Sequence, residues 1–306
     1  MTFRNITFDE ADKHLNWLDL TQALEQGHAR PKAQVQDVVM TREPDTMLSR
    51  HAWIDGLGIA VKTAQVFPNN GAHNLPNING ILTLFDDTTG VLKATIDFHL
   101  VTKWKTVGDS LLAAQKLARP DSRNILVLGA GTVAANLIRA YSTLFPNARF
   151  QIWNRTASKA ETLAATFKDH EVTPVTDLPH AVANADIVTS ATMSKTPVLK
   201  GEWLRSGQHV DLIGAYIPSM READDTAMQR SRIFVDSFDT TLAHIGELID
   251  PLASGAIRRT DVLADYYDLS KGNFEREKDD EITLFKNGGG AHLDLMTANY
   301  ILGALK

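Results

Sequence analysis

The sequence of 306 residues contains no cysteine. This absence excludes disulfide bonds, thiolate catalysis and cysteine-ligated zinc, and it is compatible with a reducing compartment. The ten histidines show neither an HxH nor an HExxH spacing, so we expect no metal site.

Long apolar runs are also lacking. The amino-terminal segment has no signal-peptide core, because charged residues interrupt it between positions 9 and 13. The uncharged run between Arg123 and Arg139 is too short and too interrupted by glycine to span a bilayer. We therefore expect a cytoplasmic protein with no membrane partner.

An excess of positive charge is missing as well. The formal net charge of −6 argues against a nucleic-acid partner, since such proteins usually carry a basic face. A composition of 43% hydrophobic and 22% charged residues is typical of a globular protein. The length allows one large domain or two ordinary ones.

The first third of the chain has a β-rich pattern after a helical start. The first 30 residues show loosely periodic leucines, which predict helix. Short β-like runs at 35–40, 57–66, 80–85 and 91–96 then alternate with turn signals and predict an antiparallel sheet. A helix is expected after Lys105, running to Leu117 and ended by Pro120.

From residue 125 the pattern becomes an alternation of strands and helices. Apolar runs at 125–128, 150–153, 187–191, 210–213 and 233–235 are separated by helical or loop segments, including helices at 132–144 and 158–167. Such alternation predicts a parallel sheet covered by helices, a Rossmann-type α/β domain over residues 119–275. The tail from 282 predicts a glycine-rich turn and a helix.

A glycine turn of the form GxGxxA follows the first of these strands. Its first glycine permits a tight turn, its second lets the backbone approach a pyrophosphate, and its alanine lets the helix pack on the strand. The strand before it and the helix after it favour a dinucleotide-binding turn over a βα turn that uses glycine for geometry alone. The predicted cofactor-binding residues here are Gly129, Ala130, Gly131, Thr132, Val133 and Ala134.

The end of the second strand indicates which dinucleotide is bound. NAD enzymes place an acid there to accept from the ribose 2′-hydroxyl. This chain has Asn154, Arg155 and Thr156 instead. Arg155 can bind a 2′-phosphate with two hydrogen bonds, which favours NADPH as the cofactor, with NADH possible. The alternative is that Arg155 is a solvated surface residue.

The whole chain resembles the ornithine cyclodeaminase/μ-crystallin family. The segments that carry the resemblance follow the family's order over nearly the full length. They are 101–106, 128–134, 152–156, 196–199, 213–215 with Pro218 and Arg221-Glu222, and 282–286.

The resemblance implies a homodimer with an active site between two domains. It implies an α+β substrate and dimerisation domain built from residues 1–118 and completed by 276–306, beside the Rossmann-type domain at 119–275. Members of the family include cyclodeaminases, alanine dehydrogenases and imine reductases, so the expected substrate is a small cyclic imino acid or an amino acid.

Two lysines match cationic positions of the family. Lys62 corresponds to the lysine that pairs with the substrate carboxylate; without the resemblance, an exposed strand lysine is the better interpretation. Lys105 lies where the family usually has arginine. It keeps the positive charge but lacks the planar guanidinium that can form two hydrogen bonds with one carboxylate.

Tyr216 departs from the family pattern. Cyclodeaminases and alanine dehydrogenases have an Asp after the Gly214-Ala215 pair. Cyclodeamination needs a base at the substrate amine, and a tyrosine of ordinary pKa near ~10 is a poor base at neutral pH. Reduction of a preformed imine needs only hydride and a proton, so the tyrosine favours a reductase. The alternative is that Tyr216 only forms a wall of the pocket.

Further positions complete the predicted site. Gly289, in the family's glycine turn, and Asp294, an acid beyond that turn, are expected near the nicotinamide, although Asp294 could equally be a helix-surface acid. Ala191, Thr192 and Gly214 lie at or just beyond the ends of apolar runs and are added to the cofactor-binding set.

The sequence therefore predicts an NADPH-dependent reductase of a small cyclic imino acid, such as Δ1-pyrroline-2-carboxylate, giving L-proline. Lys62, Lys105, Tyr216 and Asp294 are the predicted catalytic residues. The alternatives are a cyclodeaminase or amino-acid dehydrogenase of the same family, and a non-catalytic NADPH-binding protein of the crystallin kind.

Overall fold

The computed structural model describes residues 3–305, and the chain divides into two compact units. The first unit combines the residues up to 105 with those from 289 onward, and the second consists of residues 106–288. The predicted first domain included residues 106–118 and 276–288. The structure groups both stretches with the second unit, and residues 283–286 form a strand of its sheet.

The strands, in chain order, are β1 (Arg4–Ile6), β2 (Gln34–Arg42), β3 (Asp45–Ile54), β4 (Gly58–Val66), β5 (Ile78–Phe85), β6 (Leu92–Asp97), β7 (Asn124–Leu128), β8 (Arg149–Trp153), β9 (Val172–Pro174), β10 (Ile187–Ser190), β11 (His209–Leu212), β12 (Arg232–Val235), β13 (Val262–Ala264) and β14 (Thr283–Lys286). The helices are α1 (Phe8–Ala11), α2 (Trp17–His28), α3 (Phe98–Leu117), α4 (Thr132–Leu144), α5 (Ala157–Ala164), α6 (Leu178–Asn184), α7 (Asp225–Arg230), α8 (Phe238–Thr241), α9 (Gly246–Ser254) and α10 (Ala291–Ala304).

The first unit is built on a six-stranded sheet in the order β1-β6-β5-β4-β3-β2. Its pairs are antiparallel except β1 with β6. Along β4 the alternating residues Gly58, Ala60, Lys62 and Ala64 are buried. They face α10, because Asp294 of that helix contacts Lys62 and the position of a Cβ on Gly58 is 4.0 Å from Leu295. We call this side of the sheet the inner face and the opposite side the outer face.

Two predictions for this unit were wrong, and one strand was not predicted. The first 30 residues are not all helical, since β1 pairs with β6 before α1 begins. Strand β3 was missed, because its residues mix polar and apolar types on both faces. Helix α3 begins at Phe98 rather than after Lys105, and the Asp97 carboxylate accepts from Leu100 N at 2.9 Å, as an N-cap residue does.

The second unit has an eight-stranded parallel sheet in the order β13-β12-β14-β11-β10-β7-β8-β9. The chain runs outward from β7 to β9 and then returns to place β10 on the other side of β7. This reversal of strand order is the feature beside which doubly wound folds bind ligands, at the carboxyl ends of the strands. The Rossmann-type prediction is confirmed, and β9 and β13 are short strands that were not predicted.

The parallel sheet is buried on both faces. Strand β7 is almost continuously apolar, as a sheet covered by helices on both sides favours, whereas β10, β11 and β14 also bury polar residues such as Thr189, Asp211 and Lys286. Burying these side chains removes apolar surface from water, which is the main favourable term in folding. The buried core includes Leu126, Leu128, Val188, Val210, Leu212, Ile233, Val235 and Leu284.

Among residues 3–305, no helix combines the length and apolar character that crossing a bilayer requires.

Candidate active site

The inner face of the six-stranded sheet carries a row of charged residues. The strand register places Asp37 on β2 opposite Arg50 on β3, and Arg50 opposite Lys62 on β4. Arg50 donates to both carboxylate oxygens of Asp37 at 3.0 and 3.2 Å. Charged groups directly opposite one another on a sheet interact through their side chains, so the register alone brings these three together.

Helix α10 supplies the acid that completes this group. Lys62 Nζ donates to Asp294 Oδ1 at 2.8 Å, and Lys105 Nζ lies 4.0 Å from the same oxygen. All three side chains are buried, with Lys62 only 5% exposed. The structure therefore rules out the alternatives of an exposed strand lysine for Lys62 and a helix-surface acid for Asp294. We call Lys62, Lys105 and Asp294 the lysine cluster.

The carbonyl of Gly289 is a second acceptor beside the lysine cluster. It accepts from Lys105 Nζ at 2.8 Å and from Arg50 Nη1 at 2.6 Å. Gly289 has φ +63°, a backbone region in which glycine costs little. This conformation aims the carbonyl at the two cations and ends the glycine turn one residue before the N-cap Gly290 of α10. Whether Gly289 also approaches a cofactor remains a prediction.

The electrostatics of the lysine cluster favour an anionic ligand. Burial lowers the pKa of Lys62 to about 8, opposed by the charge of Asp294. Burial acts to raise the pKa of Asp294, but Lys105, Lys62 and Arg50 together hold it below its ordinary value. Two lysine side chains beside one carboxylate give the cluster one formal positive charge in excess. A buried cation in excess is stabilised by a bound carboxylate.

One oxygen of Asp294 has no hydrogen-bond donor among the described residues. Asp294 Oδ2 is fully buried and accepts no hydrogen bond from any residue between 3 and 305. An ionised carboxylate oxygen left without a donor in a buried site is costly, so a ligand N–H there gains a strong hydrogen bond. The cluster thus offers cations for a carboxylate and an acceptor for a protonated nitrogen within one small volume.

Arg50 and His292 are residues of this region that sequence reasoning missed. His292 is buried beside Asp294 on α10, and its ring contacts that of His28 at 5.3 Å between centroids. Burial first, and then His28 and the nearby cations, holds the pKa of His292 well below its ordinary value. Leu48, Arg50 and Ala52 are every second residue of β3 and therefore share one face of the sheet. The position of Arg50 on the inner face can be inferred only once β3 is recognised as a strand.

In the second unit, the glycine turn joins β7 to α4. Gly129 has φ +109°, and a Cβ there would lie 2.8 Å from the Ala191 carbonyl oxygen. Ala130 and Gly131 complete the turn, and Ala134 is buried against the sheet, whereas Thr132 is exposed and Val133 half-buried. The strand, turn and helix that the motif requires are therefore present.

The amino terminus of α4 fits a phosphate group. No side chain of the described residues caps it, so its first amides keep their donor capacity. A Cβ on Gly131 would meet no described heavy atom within 4 Å, which leaves open space above the turn. Open space beside uncapped amides at the positive end of a 13-residue helix is what a pyrophosphate needs.

Asn154, Arg155 and Thr156 follow β8 directly. The Asn154 side chain donates to the Thr156 carbonyl oxygen at 2.9 Å and shapes a short turn before α5. Arg155 is exposed, with no acid next to it in sequence. The placement at the carboxyl edge of the sheet suits a ribose-phosphate contact, and a surface role for Arg155 stays open.

The loops after β10 and β11 lie at the same edge of the sheet. Ala191 N donates to the Leu128 carbonyl at 2.9 Å, which ties the first loop to the end of β7. Gly214 and Thr192 are half-buried where the two loops meet. Tyr216 is 58% exposed at the far end of the second loop.

No group of three metal-binding side chains occurs in the part of the chain that the structure describes.

These observations define a dinucleotide-binding α/β protein with a separate unit that carries a buried cluster of two lysines and an aspartate. A model of the ornithine cyclodeaminase/mu-crystallin family matches residues 16–306, and the chain belongs to that family.

A Delta(1)-pyrroline-2-carboxylate reductase from Paracoccus denitrificans is 51% identical over 300 residues, which cover 97% of this chain and 95% of that protein. The structure of Thermococcus litoralis Delta(1)-pyrroline-2-carboxylate reductase in complex with NADH and L-proline is 25% identical, with a TM-score of 0.90, covering 99% of this chain and 97% of that one. An archaeal alanine dehydrogenase dimer with bound NAD is also 25% identical, with a TM-score of 0.90, covering 99% and 96%.

Proposed function

We propose that this protein is an NAD(P)H-dependent reductase of small cyclic imino acids, converting Δ1-pyrroline-2-carboxylate, or a related ketimine, to the amino acid. For the five-membered ring the product is L-proline. Support comes from the named activity of the Paracoccus relative, which matches nearly the whole chain at 51% identity. The Thermococcus structure, which contains NADH and L-proline, supports the same substrate class.

The observation that carries the proposal is the composition of the lysine cluster. A cyclic imino acid has a carboxylate and, one bond away, a nitrogen that is protonated before reduction. Lys62 and Lys105 supply cations for the carboxylate, and Asp294 Oδ2 supplies an acceptor for the N–H. Both interactions are charge-assisted and lie in a buried environment, where such bonds are strongest.

In the proposed reaction the main task of the protein is to position the imino acid for hydride transfer. A bound nicotinamide dinucleotide supplies the hydride, which adds to the imine carbon while the nitrogen keeps its proton. The lysine cluster holds the carboxylate, and Asp294 stabilises the protonated imine nitrogen. Hydride addition forms one C–H bond, and the C=N π electrons become the nitrogen lone pair, which leaves a C–N single bond and the N–H already present. Tyr216 or water donates the proton to the imine nitrogen before hydride transfer. No base that removes a proton from a substrate amine is required, which agrees with tyrosine rather than aspartate at position 216.

We propose NADPH as the preferred cofactor. The support is the Asn154-Arg155-Thr156 turn at the carboxyl end of β8, which offers a guanidinium and no carboxylate. A carboxylate there repels a 2′-phosphate, whereas an arginine binds it. The two structural relatives above contain NADH or NAD, so NADH is the alternative cofactor.

We propose that two copies associate through the outer face of the six-stranded sheet. Val38, Met40, Trp53 and Ile81 point to that face and are 40 to 60% exposed. Large exposed apolar patches are typical of interaction sites. The archaeal alanine dehydrogenase of the same fold is described as a dimer, which supports a second copy as the occupant.

The proposed function is tested by following NADPH oxidation with five- and six-membered cyclic imino acids and with pyruvate plus amines. We expect turnover with a cyclic imino acid and no ammonia from L-ornithine. Release of ammonia from L-ornithine would identify a cyclodeaminase instead. Tight NADPH binding without oxidation, at high enzyme concentration and with every imino acid tested, would point to a non-catalytic binding protein.

A further inference from the structure

A single buried carboxylate joins the two loops that follow β10 and β11. Glu222 is 0% exposed. Its Oε1 accepts from Ser190 Oγ at 2.5 Å, Thr192 N at 2.8 Å and Thr192 Oγ1 at 2.9 Å. Its Oε2 accepts from Gly214 N at 2.5 Å and Ala215 N at 3.1 Å. Each oxygen therefore binds one loop, and the side chain bridges the two.

The bridged loops touch each other at their backbones. A Cβ on Gly214 would lie 1.8 Å from the Thr192 carbonyl oxygen and 2.5 Å from the Thr192 nitrogen. Such closeness is possible only for glycine, so a side chain at position 214 would force the two loops apart. Ala191, Thr192 and Gly214, three of the predicted cofactor-binding residues, lie in these loops.

The backbone at Glu222 is held by a second buried carboxylate, that of Glu247. Its backbone N–H and that of Ala223 donate to the Glu247 carboxylate at 2.7 and 2.9 Å. The buried Lys286 provides the compensating charge, and its Nζ donates to the carbonyls of Leu212 and Asn287 at 2.8 and 2.7 Å. Burial, together with the charge of Glu222, raises the pKa of Glu247 to about 7. The charged groups acting on Lys286 are Glu222, Glu247, Asp236 and Asp211.

We propose that Glu222 is a positioning residue for the dinucleotide, whose carboxylate fixes the loops after β10 and β11 in the conformation that the cofactor binds. This inference rests on the proposed function, since it assumes a dinucleotide at the carboxyl edge of the sheet. The carboxylate also occupies the amides of Thr192, Gly214 and Ala215. These loops then offer few donors to an anion, and the phosphates are left to the uncapped amides of α4.

The test compares Glu222→Gln with the wild type in dinucleotide binding without substrate. The amide keeps the shape but places an NH₂ group against backbone N–H donors of one loop. We expect the Kd for NADPH, measured by fluorescence titration, to rise about 10- to 100-fold, because several charge-assisted hydrogen bonds are lost. The KM for the imino acid, measured at saturating cofactor, should stay within about twofold, since that substrate is proposed to bind at the lysine cluster.

Asp211→Asn is the matched control. Asp211 is also fully buried in the parallel sheet and accepts from the hydroxyls of Ser110, Tyr141 and Thr189, but it bonds to neither loop. This variant alters a buried carboxylate network of the same unit, and we expect its Kd for NADPH to remain near the wild-type value. An equal loss of affinity in both variants would show a general structural effect and overturn the inference.

If Glu222→Gln does not fold, Thr192→Val takes its place. This variant removes the hydroxyl that donates to Glu222, and we expect the Kd for NADPH to rise about threefold. An unchanged Kd in whichever of the two variants folds overturns this inference but leaves the proposed function intact. A wild-type protein that binds neither NADPH nor NADH overturns both this inference and the proposed function.

Discussion

At the scale of single residues, the protonation of Lys62 makes the charge of the lysine cluster depend on pH. Its burial lowers its pKa to about 8, so the free protein holds a cation at neutral pH and loses it above that value. Because deprotonation removes the charge that binds the carboxylate, a rising pH weakens substrate binding. A bound carboxylate stabilises the protonated form, which links binding to proton uptake in this range.

We expect kcat/KM for the imino acid to fall above pH 8, approaching about tenfold per pH unit. Initial rates between pH 6 and 10 measure this profile. In Lys62→Arg the guanidinium stays protonated throughout this range. The descending limb assigned to Lys62 should therefore disappear from that variant, while the titration of the substrate imine is common to both proteins. An identical limb in the variant and the wild type would assign it to another group.

Arg155 is expected to distinguish the two cofactors. Arg155→Ala removes the proposed contact with the 2′-phosphate, so the KM for NADPH should rise about 10- to 100-fold while that for NADH changes little. Arg123→Ala is the control, because Arg123 is an exposed arginine at the amino end of β7, the opposite edge of the same sheet. Equal effects on NADPH and NADH, or equal effects of the two variants, would contradict the role given to Arg155.

At the scale of elements, the strand–turn–helix of β7 and α4 was predictable because its signals are local. The GxGxxA pattern, the four-residue apolar run before it and the helical pattern after it all occupy adjacent positions. Strand β3 lacks such a signal: Asp45, Arg50 and His51 interrupt it, and its partners lie on both sides in the sheet. Missing β3 also meant missing Arg50.

Gly131→Ala tests the turn without disturbing the fold. Gly131 has φ −97°, which alanine adopts, and its added methyl group meets no described atom within 4 Å. We expect an unchanged melting temperature in the absence of cofactor and at least about tenfold weaker NADPH binding, because the methyl group occupies the space proposed for the pyrophosphate.

Gly303→Ala adds a methyl group in equally open space near the end of α10 and should leave the affinity unchanged. Calorimetry with and without NADPH compares the variants, since a ligand that binds only the folded state raises the melting temperature according to its Kd. Wild-type affinity in Gly131→Ala would mean that no phosphate lies above this turn.

At the scale of the whole molecule, the outer face of the six-stranded sheet is expected to form a dimer. Lysines at Val38 and Met40 on the edge strand β2 place charges in the proposed interface, and edge strands tolerate lysine well. The Val38→Lys, Met40→Lys double variant should sediment as a monomer under conditions in which the wild type is a dimer. Val91→Lys, at an exposed apolar residue in the turn before β6, should not change the oligomeric state. A monomeric wild type at micromolar concentration would contradict the proposal.

The sequence by itself determined the features that depend on neighbouring residues. The alternation of strands and helices, the glycine turn, and the absence of cysteine and of an acid after β8 all follow from local patterns. They were enough for the Rossmann-type fold and for a dinucleotide hypothesis.

Only the tertiary structure decided which distant side chains meet. Lys62 and Asp294 are 232 positions apart and form a buried ion pair because β4 and α10 pack together. Glu222 reaches Thr192, 30 positions away, because both follow strands of one parallel sheet. Whether a charge is buried or solvated, and which partner it finds, depends on packing between segments that no local pattern connects. The buried state of Lys62, the buried Asp294 oxygen without a described donor and the bridge made by Glu222 could therefore not be predicted from the sequence.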